Sequence, residues 1–195
     1  MSRREEICDA VLDLAATGGN RAVTHRAVDT RLRLSAGSTS YYYRTRSELL
    51  AAAIEHLARA SRAANEEGLA VAAGPLTVDG AAQHIATQLD LLAGSRRRDA
   101  LARYALAPDA VSDPALHAAL ATCLFSLPSA TGLLEGLGAS APERAAADLL
   151  SLLEGLLFDR LYGTRSLHAP EPGTRASRSD LETPIVRWLT ALAAS

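Results

Sequence analysis

The chain has 195 residues, is 48% hydrophobic but only 4% aromatic, carries a formal net charge of −2 and holds two cysteines. A core built mainly from Ala, Leu and Val suits close-packed helices and is poor material for a β-sandwich. The apolar runs stop well short of the ~20 residues that span a bilayer, no apolar segment follows Met1-Ser-Arg-Arg-Glu-Glu to make a secretory signal, and Cys8 and Cys123 lie far apart in helical patterns, so the expectation is a cytoplasmic protein with no disulfide and no membrane partner.

Ser2-Arg-Arg-Glu5 has the spacing of a capping box, and Ile7, Val11 and Leu14 share one helical face as far as Gly18-Gly19-Asn20. Thr24 is the N-cap candidate of a second helix with Ala27, Val28 and Leu32 inward. Ser35 can cap a third helix, running through about Tyr43. Thr45-Arg-Ser-Glu48 is a further capping box. It opens a long helix to about Ala70 with Leu49, Leu50, Ala53, Ile54 and Leu57 facing inward. Gly74-Pro75 marks a boundary.

Beyond it, periodicity predicts helices near Asp79–Ala93 and Arg97–Leu106, the second ending before Pro108. Asp113-Pro114 fits an N-cap followed by Pro at the first helical position, and Pro128 should kink or divide the helix that starts there. Pro142 starts a helix to about Tyr162 that is apolar over a wide arc and so must be buried on more than one side. Gly163–Ser179 reads as a loop. A last helix spans about Asp180–Ala193, capped either by Ser179 with Glu182 or by Thr183 before Pro184. No segment alternates convincingly as a strand, so the fold class is all-α: an N-terminal three-helix domain with a helix-turn-helix, followed by a C-terminal helical bundle.

Function is most legible in Thr24–Arg46. Five arginines (Arg26, Arg31, Arg33, Arg44 and Arg46) against Asp29 alone give this stretch a charge of +4, leaving −6 on the rest of the chain. A basic island on an acidic body suggests a polyanion-binding end. Two short helices joined by a tight turn suggest that the polyanion is duplex DNA, whose major groove, ~12 Å wide, admits a helix. Small residues at the start of the second helix, Ala36, Gly37 and Ser38, allow close approach, and Tyr and Arg add phosphate contacts. The candidate DNA contacts are Thr24, His25, Arg26, Ser35, Ala36, Gly37, Ser38, Ser40, Tyr41, Tyr42, Arg44 and Arg46, with His25 equally readable as exposed filler.

The run Arg33-Leu-Ser-Ala-Gly-Ser-Thr-Ser-Tyr-Tyr-Tyr-Arg-Thr-Arg-Ser-Glu-Leu-Leu50, with Thr24 and Val28 before it, resembles the TetR family of bacterial transcriptional regulators. The match covers about Ser2–Leu57. Ser35, Gly37, Tyr42, Tyr43, Arg46 and Leu49 hold family-type positions. Arg33 stands where Gly is usual, Asp29 where Ala is usual, and Thr39 and Ser40 where Leu and Tyr are usual. Tyr43 falls at a core Phe position, leaving Tyr41 and Tyr42 outward. The resemblance implies residues 1–46 as the DNA-binding domain and 47–195 as an effector-binding and dimerisation bundle. It implies a ligand-responsive repressor acting as a homodimer on a palindromic operator. An architectural or division-related DNA-binding protein on the same fold, without an effector, is the alternative.

For the effector, polar or aromatic residues on otherwise apolar helices are the candidates: His84, Gln88, Arg103, Tyr104, Phe125 and Phe158. For the dimer they are Leu149, Leu153, Leu156, Ile185, Trp188, Leu189 and Leu192. No two of the five histidines pair with each other, a Cys or a carboxylate at metal-ligand spacing, no catalytic set of nucleophile and base is visible, and no cofactor or enzymatic activity is expected. Arg96-Arg97-Arg98 reads as a solvated helix start or a second nucleic-acid contact.

Overall fold

A computed structural model describes residues 2–71, 76–111 and 113–194, with side chains described outside 65–71. The boundary expected at Gly74-Pro75 lies outside these residues. The described residues form eleven α-helices: α1 (Arg3–Gly18), α2 (His25–Arg31), α3 (Ser38–Tyr42), α4 (Arg46–Val71), α5 (Val78–Ala93), α6 (Arg97–Ala110), α7 (Pro114–Ala121), α8 (Leu127–Gly136), α9 (Pro142–Tyr162), α10 (Arg165–His168) and α11 (Arg175–Ala193). The fold class is all-α, as the sequence suggests. Two compact units are present: Met1–Asn65 with Arg98–Leu124, and Glu66–Arg97 with Phe125–Ser195.

The first unit starts as its local signals dictate. Ser2 and Glu5 form a reciprocal capping box at α1, and Thr24 Oγ1 accepts from Ala27 N at 3.1 Å at α2. Thr45 Oγ1 accepts from Glu48 N at 3.1 Å, while the Glu48 carboxylate reaches back to Arg44 N at 2.9 Å. Each such cap is worth about 1 kcal/mol. Ile7, Val11, Leu12, Val28, Leu49, Ile54 and Leu57 are fully buried and make the core. Charges tie α6 to this core. Arg98 pairs with Asp9 at 3.1 Å and with Asp13 at 3.5 Å, and Arg31 takes the other oxygen of Asp13 at 2.6 Å.

In the second unit α11 packs on α5 and α9, and α8 on α9. Leu134, Leu149, Leu157, Leu181, Ile185 and Leu189 form its centre. A polar knot lies inside it. Ser177 Oγ donates to Asp90 Oδ1 at 2.5 Å and accepts from Arg160 Nη2 at 2.5 Å. Arg160 also reaches Asp180 at 3.2 Å, and Gly173 N donates to Asp90 Oδ2 at 2.9 Å. This knot corrects the expected loop over Gly163–Ser179. Residues 165–168 form a helical turn, and α11 begins at Arg175 with Thr174 as N-cap, not at Ser179 or Thr183. Burying Ser177, Arg160 and Asp90 together requires a regular backbone that satisfies its own hydrogen bonds.

Three further boundaries differ or sharpen. α6 runs through Pro108 to Ala110 and ends within a turn of the proline, which lacks the N–H for its own helical bond. Pro128 divides its segment, sitting in the first turn of α8 behind the Ser126 cap. α3 starts at Ser38 rather than after Ser35, with Gly37 as N-cap at φ +89°.

Candidate nucleic-acid interface

The turn between α2 and α3 is built on Asp29. Its main-chain carbonyl accepts from Leu34 N at 2.8 Å, and Thr30 O accepts from Arg33 N at 3.2 Å. That pattern closes a helix end with a left-handed residue, and Arg33 supplies it at φ +54°. The usual glycine is replaced here at a cost of about 1 kcal/mol or somewhat more in backbone strain. The carboxylate then reaches forward: Oδ2 accepts from Gly37 N at 2.8 Å, and Oδ1 accepts from Thr39 N at 2.8 Å and Thr39 Oγ1 at 2.6 Å. Burial works against the charge on Asp29, but these bonds outweigh it and hold the carboxyl below its ordinary range.

One expectation changes as a result. Gly37 N and Thr39 N are bound to Asp29, and Ser38 N donates to Ser35 O at 3.1 Å. The Gly37, Ser38 and Thr39 amides at the start of α3 are therefore occupied within the chain and are not offered to a phosphate. Ser35 contributes its carbonyl to the turn, to Ser38 N and to Ser38 Oγ at 2.7 Å, rather than a side-chain cap.

The twelve candidate contacts separate into two groups. Thr24, Arg26, Ser35, Ala36, Gly37, Ser40, Tyr41 and Arg44 are exposed, and Ser38 and Tyr42 partly so. Tyr41 is 84% exposed and meets Tyr42 edge to face at 5.3 Å between centroids. Arg26, Arg33 and Arg44 are exposed and make no ion pair among the described residues. His25 and Arg46 are turned to other work. His25 Nε2–H donates to Tyr43 O at 2.8 Å, tying the start of α2 to the end of α3. Arg46 donates to Val23 O at 3.2 Å and Asn20 O at 3.1 Å, also bonds Asn20 Oδ1, and pairs with Asp109 at 3.1 Å. Its family-type position is that of a clamp between the α1–α2 connection, α4 and α6.

Tyr43 is buried, with its hydroxyl 3.7 Å from Cys8 Sγ. Arg4 lies over the rings of Tyr42 and Tyr43, 5.8 and 5.2 Å from their centroids. Arg4 and Arg33 join the basic face without having been candidates. Arg33 carried a signal, the missing glycine. Arg4 carried none, because the contact spans α1 to α3.

The six effector candidates fall in both units. His84 and Gln88 sit one turn apart on α5, half-buried, and burial alone pushes the His84 imidazole below its ordinary pKa. Phe125 is half-buried before α8. Phe158 is 50% exposed on α9, its ring 5.2 Å from that of Tyr162 and tilted by 40° against it, which makes it a surface rather than an interior residue. In the first unit, Arg103 Nε donates to Leu120 O at 3.1 Å and its guanidinium lies over Tyr104. Two shallow clefts of that unit, one lined by Glu55, Ala58, Arg59, Arg62 and Ala119 and one by Glu6, Asp9, Ala10, Asp13, Arg31 and Leu32, include none of the six. Among the described residues no group of three or more His, Cys, Asp or Glu is arranged to hold a metal ion, and no helix is long and apolar enough to cross a membrane.

The seven dimer candidates also divide. Leu149, Leu153, Leu156, Ile185 and Leu189 are buried within the chain itself, so their apolar character is accounted for by the core of the second unit. Only Trp188 and Leu192 remain partly exposed. The solvent face of α9 carries a different stripe: Ala147, Ser151, Gly155, Phe158 and Tyr162.

Residues 76–191 match the family described as tetracyclin repressor-like, C-terminal domain. No curated protein sequence matches significantly. Among solved structures, a transcriptional regulator from Rhodococcus sp. Rha1 is 25% identical, with 99% of this chain and 97% of that one covered and a TM-score of 0.75. A putative transcriptional regulator from Streptomyces coelicolor A3(2) is 27% identical over 96% and 98%, with a TM-score of 0.68. The multidrug binding protein EbrR, in complex with ethidium, shares the fold at 21% identity over 96% and 98%, with a TM-score of 0.64.

Proposed function

Since the chain belongs to the TetR family of transcriptional regulators, we propose that it is a ligand-responsive repressor that binds a palindromic operator in duplex DNA as a homodimer in the cytoplasm. The observation that carries the DNA reading is the division of labour in Thr24–Arg46. Asp29, Thr39, Tyr43 and His25 are spent on holding α3 in place and Arg46 on the α1–α2 connection, while Ser40, Tyr41 and Arg44, with Arg26 and Arg33, face solvent. A short exposed helix with a basic rim is what a major groove accepts.

In this reading residues 1–46 act on DNA and 47–195 carry the effector and the partner copy. His84, Gln88, Arg103, Tyr104 and Phe125 remain the effector candidates. Support for a small molecule comes from the similarity of fold to EbrR, whose structures hold imidazole, ethidium, malachite green or proflavin. For the dimer, small residues at 147, 151 and 155 let two helices approach closely, with Phe158 and Tyr162 as apolar anchors beside Trp188 and Leu192. Two recognition helices must meet successive major grooves, ~34 Å apart. The test is enrichment of duplexes from a random-sequence pool by the full chain, followed by titration of the enriched duplex. The expected result is a binding curve whose affinity falls steeply with salt; failure to enrich any sequence refutes the reading.

A further inference from the structure

Two of the departures from the family pattern, Asp29 for Ala and Thr39 for Leu, are two halves of one contact. Asp29 is 3% exposed and Thr39 0%. The carboxylate receives Thr39 Oγ1, Thr39 N and Gly37 N, and the same residue's carbonyl receives Leu34 N. One residue therefore closes the turn behind it and holds the first turn of α3 ahead of it. An apolar pair would fix α3 by shape alone. Three bonds to one carboxylate fix its direction as well, because hydrogen bonds weaken steeply off-axis.

We propose that Asp29 is a positioning residue for DNA recognition: through Gly37 and Thr39 it sets the orientation in which α3 meets the groove, in place of the apolar pair. The inference rests on the reading that α3 enters DNA. A loosened α3 still carries Arg26, Arg33 and Arg44 nearby, so attraction to phosphate survives. What is lost is the register of Ser40, Tyr41 and Arg44 against base edges. Removing Asp29 therefore costs selective binding more than general binding.

The test compares the full wild-type chain with Asp29→Ala, Asp29→Asn and the double variant Asp29→Ala/Thr39→Leu. Affinity is read on the duplex enriched by wild type and on a random duplex, over the same series of salt concentrations, with thermal melting as a check on folding. Asp29→Ala should lose about tenfold or more on the enriched duplex and change little on random DNA, with an unaltered salt slope. The double variant, which rebuilds the apolar pair, should regain most of the selective affinity. Asp29→Asn should fall between, because its amide presents a donor where a second acceptor is needed, and it carries the comparison should Asp29→Ala not fold. Equal losses on both duplexes, wild-type discrimination in Asp29→Ala, or no recovery in the double variant would overturn the proposal. Failure of wild type to enrich any duplex would instead remove the DNA reading, and this inference with it.

Discussion

Replacing Arg46 by Ala should loosen the helix-turn-helix without removing a phosphate contact. The guanidinium is committed to Val23 O, Asn20 O, Asn20 Oδ1 and Asp109. The ion pair is partly solvated, with side chains 41% and 22% exposed, so it contributes about 0.5–1 kcal/mol after screening. The carbonyl bonds add about 1 kcal/mol each, and Asp109 Oδ2 is already buried without a hydrogen-bond partner among the described residues, so losing Arg46 strands that carboxylate further. The total is about 2–3 kcal/mol of local stability. Hydrogen exchange at the α2–α3 amides reads it directly, as faster exchange in the variant. Salt-titrated DNA binding provides the contrast. Arg44→Ala, which removes an exposed cation, should lower the slope of log K against log salt by about 0.9 for each phosphate it engages. Arg46→Ala should weaken binding with the slope unchanged. A fall of about one unit in Arg46→Ala would show that the arginine leaves its protein partners for phosphate, and the clamp would have to be abandoned.

Three other outcomes are expected. Ser177→Ala strips one partner from both Asp90 and Arg160 inside the second unit and should cost about 1–3 kcal/mol, read from urea unfolding followed by Trp188 fluorescence; an unchanged midpoint would mean that the knot is incidental. Gly155→Arg places a long charged side chain in the middle of the exposed α9 stripe and should yield a folded monomer by light scattering; a dimer of wild-type mass would move the interface elsewhere. His84 has a folded pKa below its unfolded value because burial disfavours its charge, so its protonation favours the unfolded chain. Stability should therefore decline as pH falls below the unfolded value, ~6.5, and be unaffected by His84 well above it. His84→Gln should flatten that decline, and an identical pH profile in the variant would contradict it.

The parts of the fold that were legible in the sequence are those written locally. The capping box at Ser2, the caps at Thr24 and Asp113 and the proline at 142 each act within one turn, and the structure starts helices there. The rest depends on partners far along the chain. α3 begins at Ser38 because a carboxylate from α2 holds Gly37 and Thr39. α11 begins five residues before Asp180, the first residue expected of it, because Ser177 is needed between Asp90 and Arg160. In the candidate site, composition and spacing picked out a group of residues most of which the structure leaves exposed or partly exposed. They could not separate His25 and Arg46 from Arg26 and Arg44, because a basic residue near DNA looks the same in sequence whether it faces phosphate or a carbonyl from another helix. The apolar runs of α9 and α11 indicated burial but not the partner, and the partner proved to be the chain's own core for most of them.

In the function proposed above, α3 reads the major groove from two copies of the chain. Methylation interference on the enriched duplex tests it most directly, because guanine N7 lies in the major groove and adenine N3 in the minor groove. Interference is expected at guanine N7 in two clusters with centres about one helical turn, or a whole number of turns, apart. Interference confined to adenine N3, or a single cluster bound at full affinity, would contradict it.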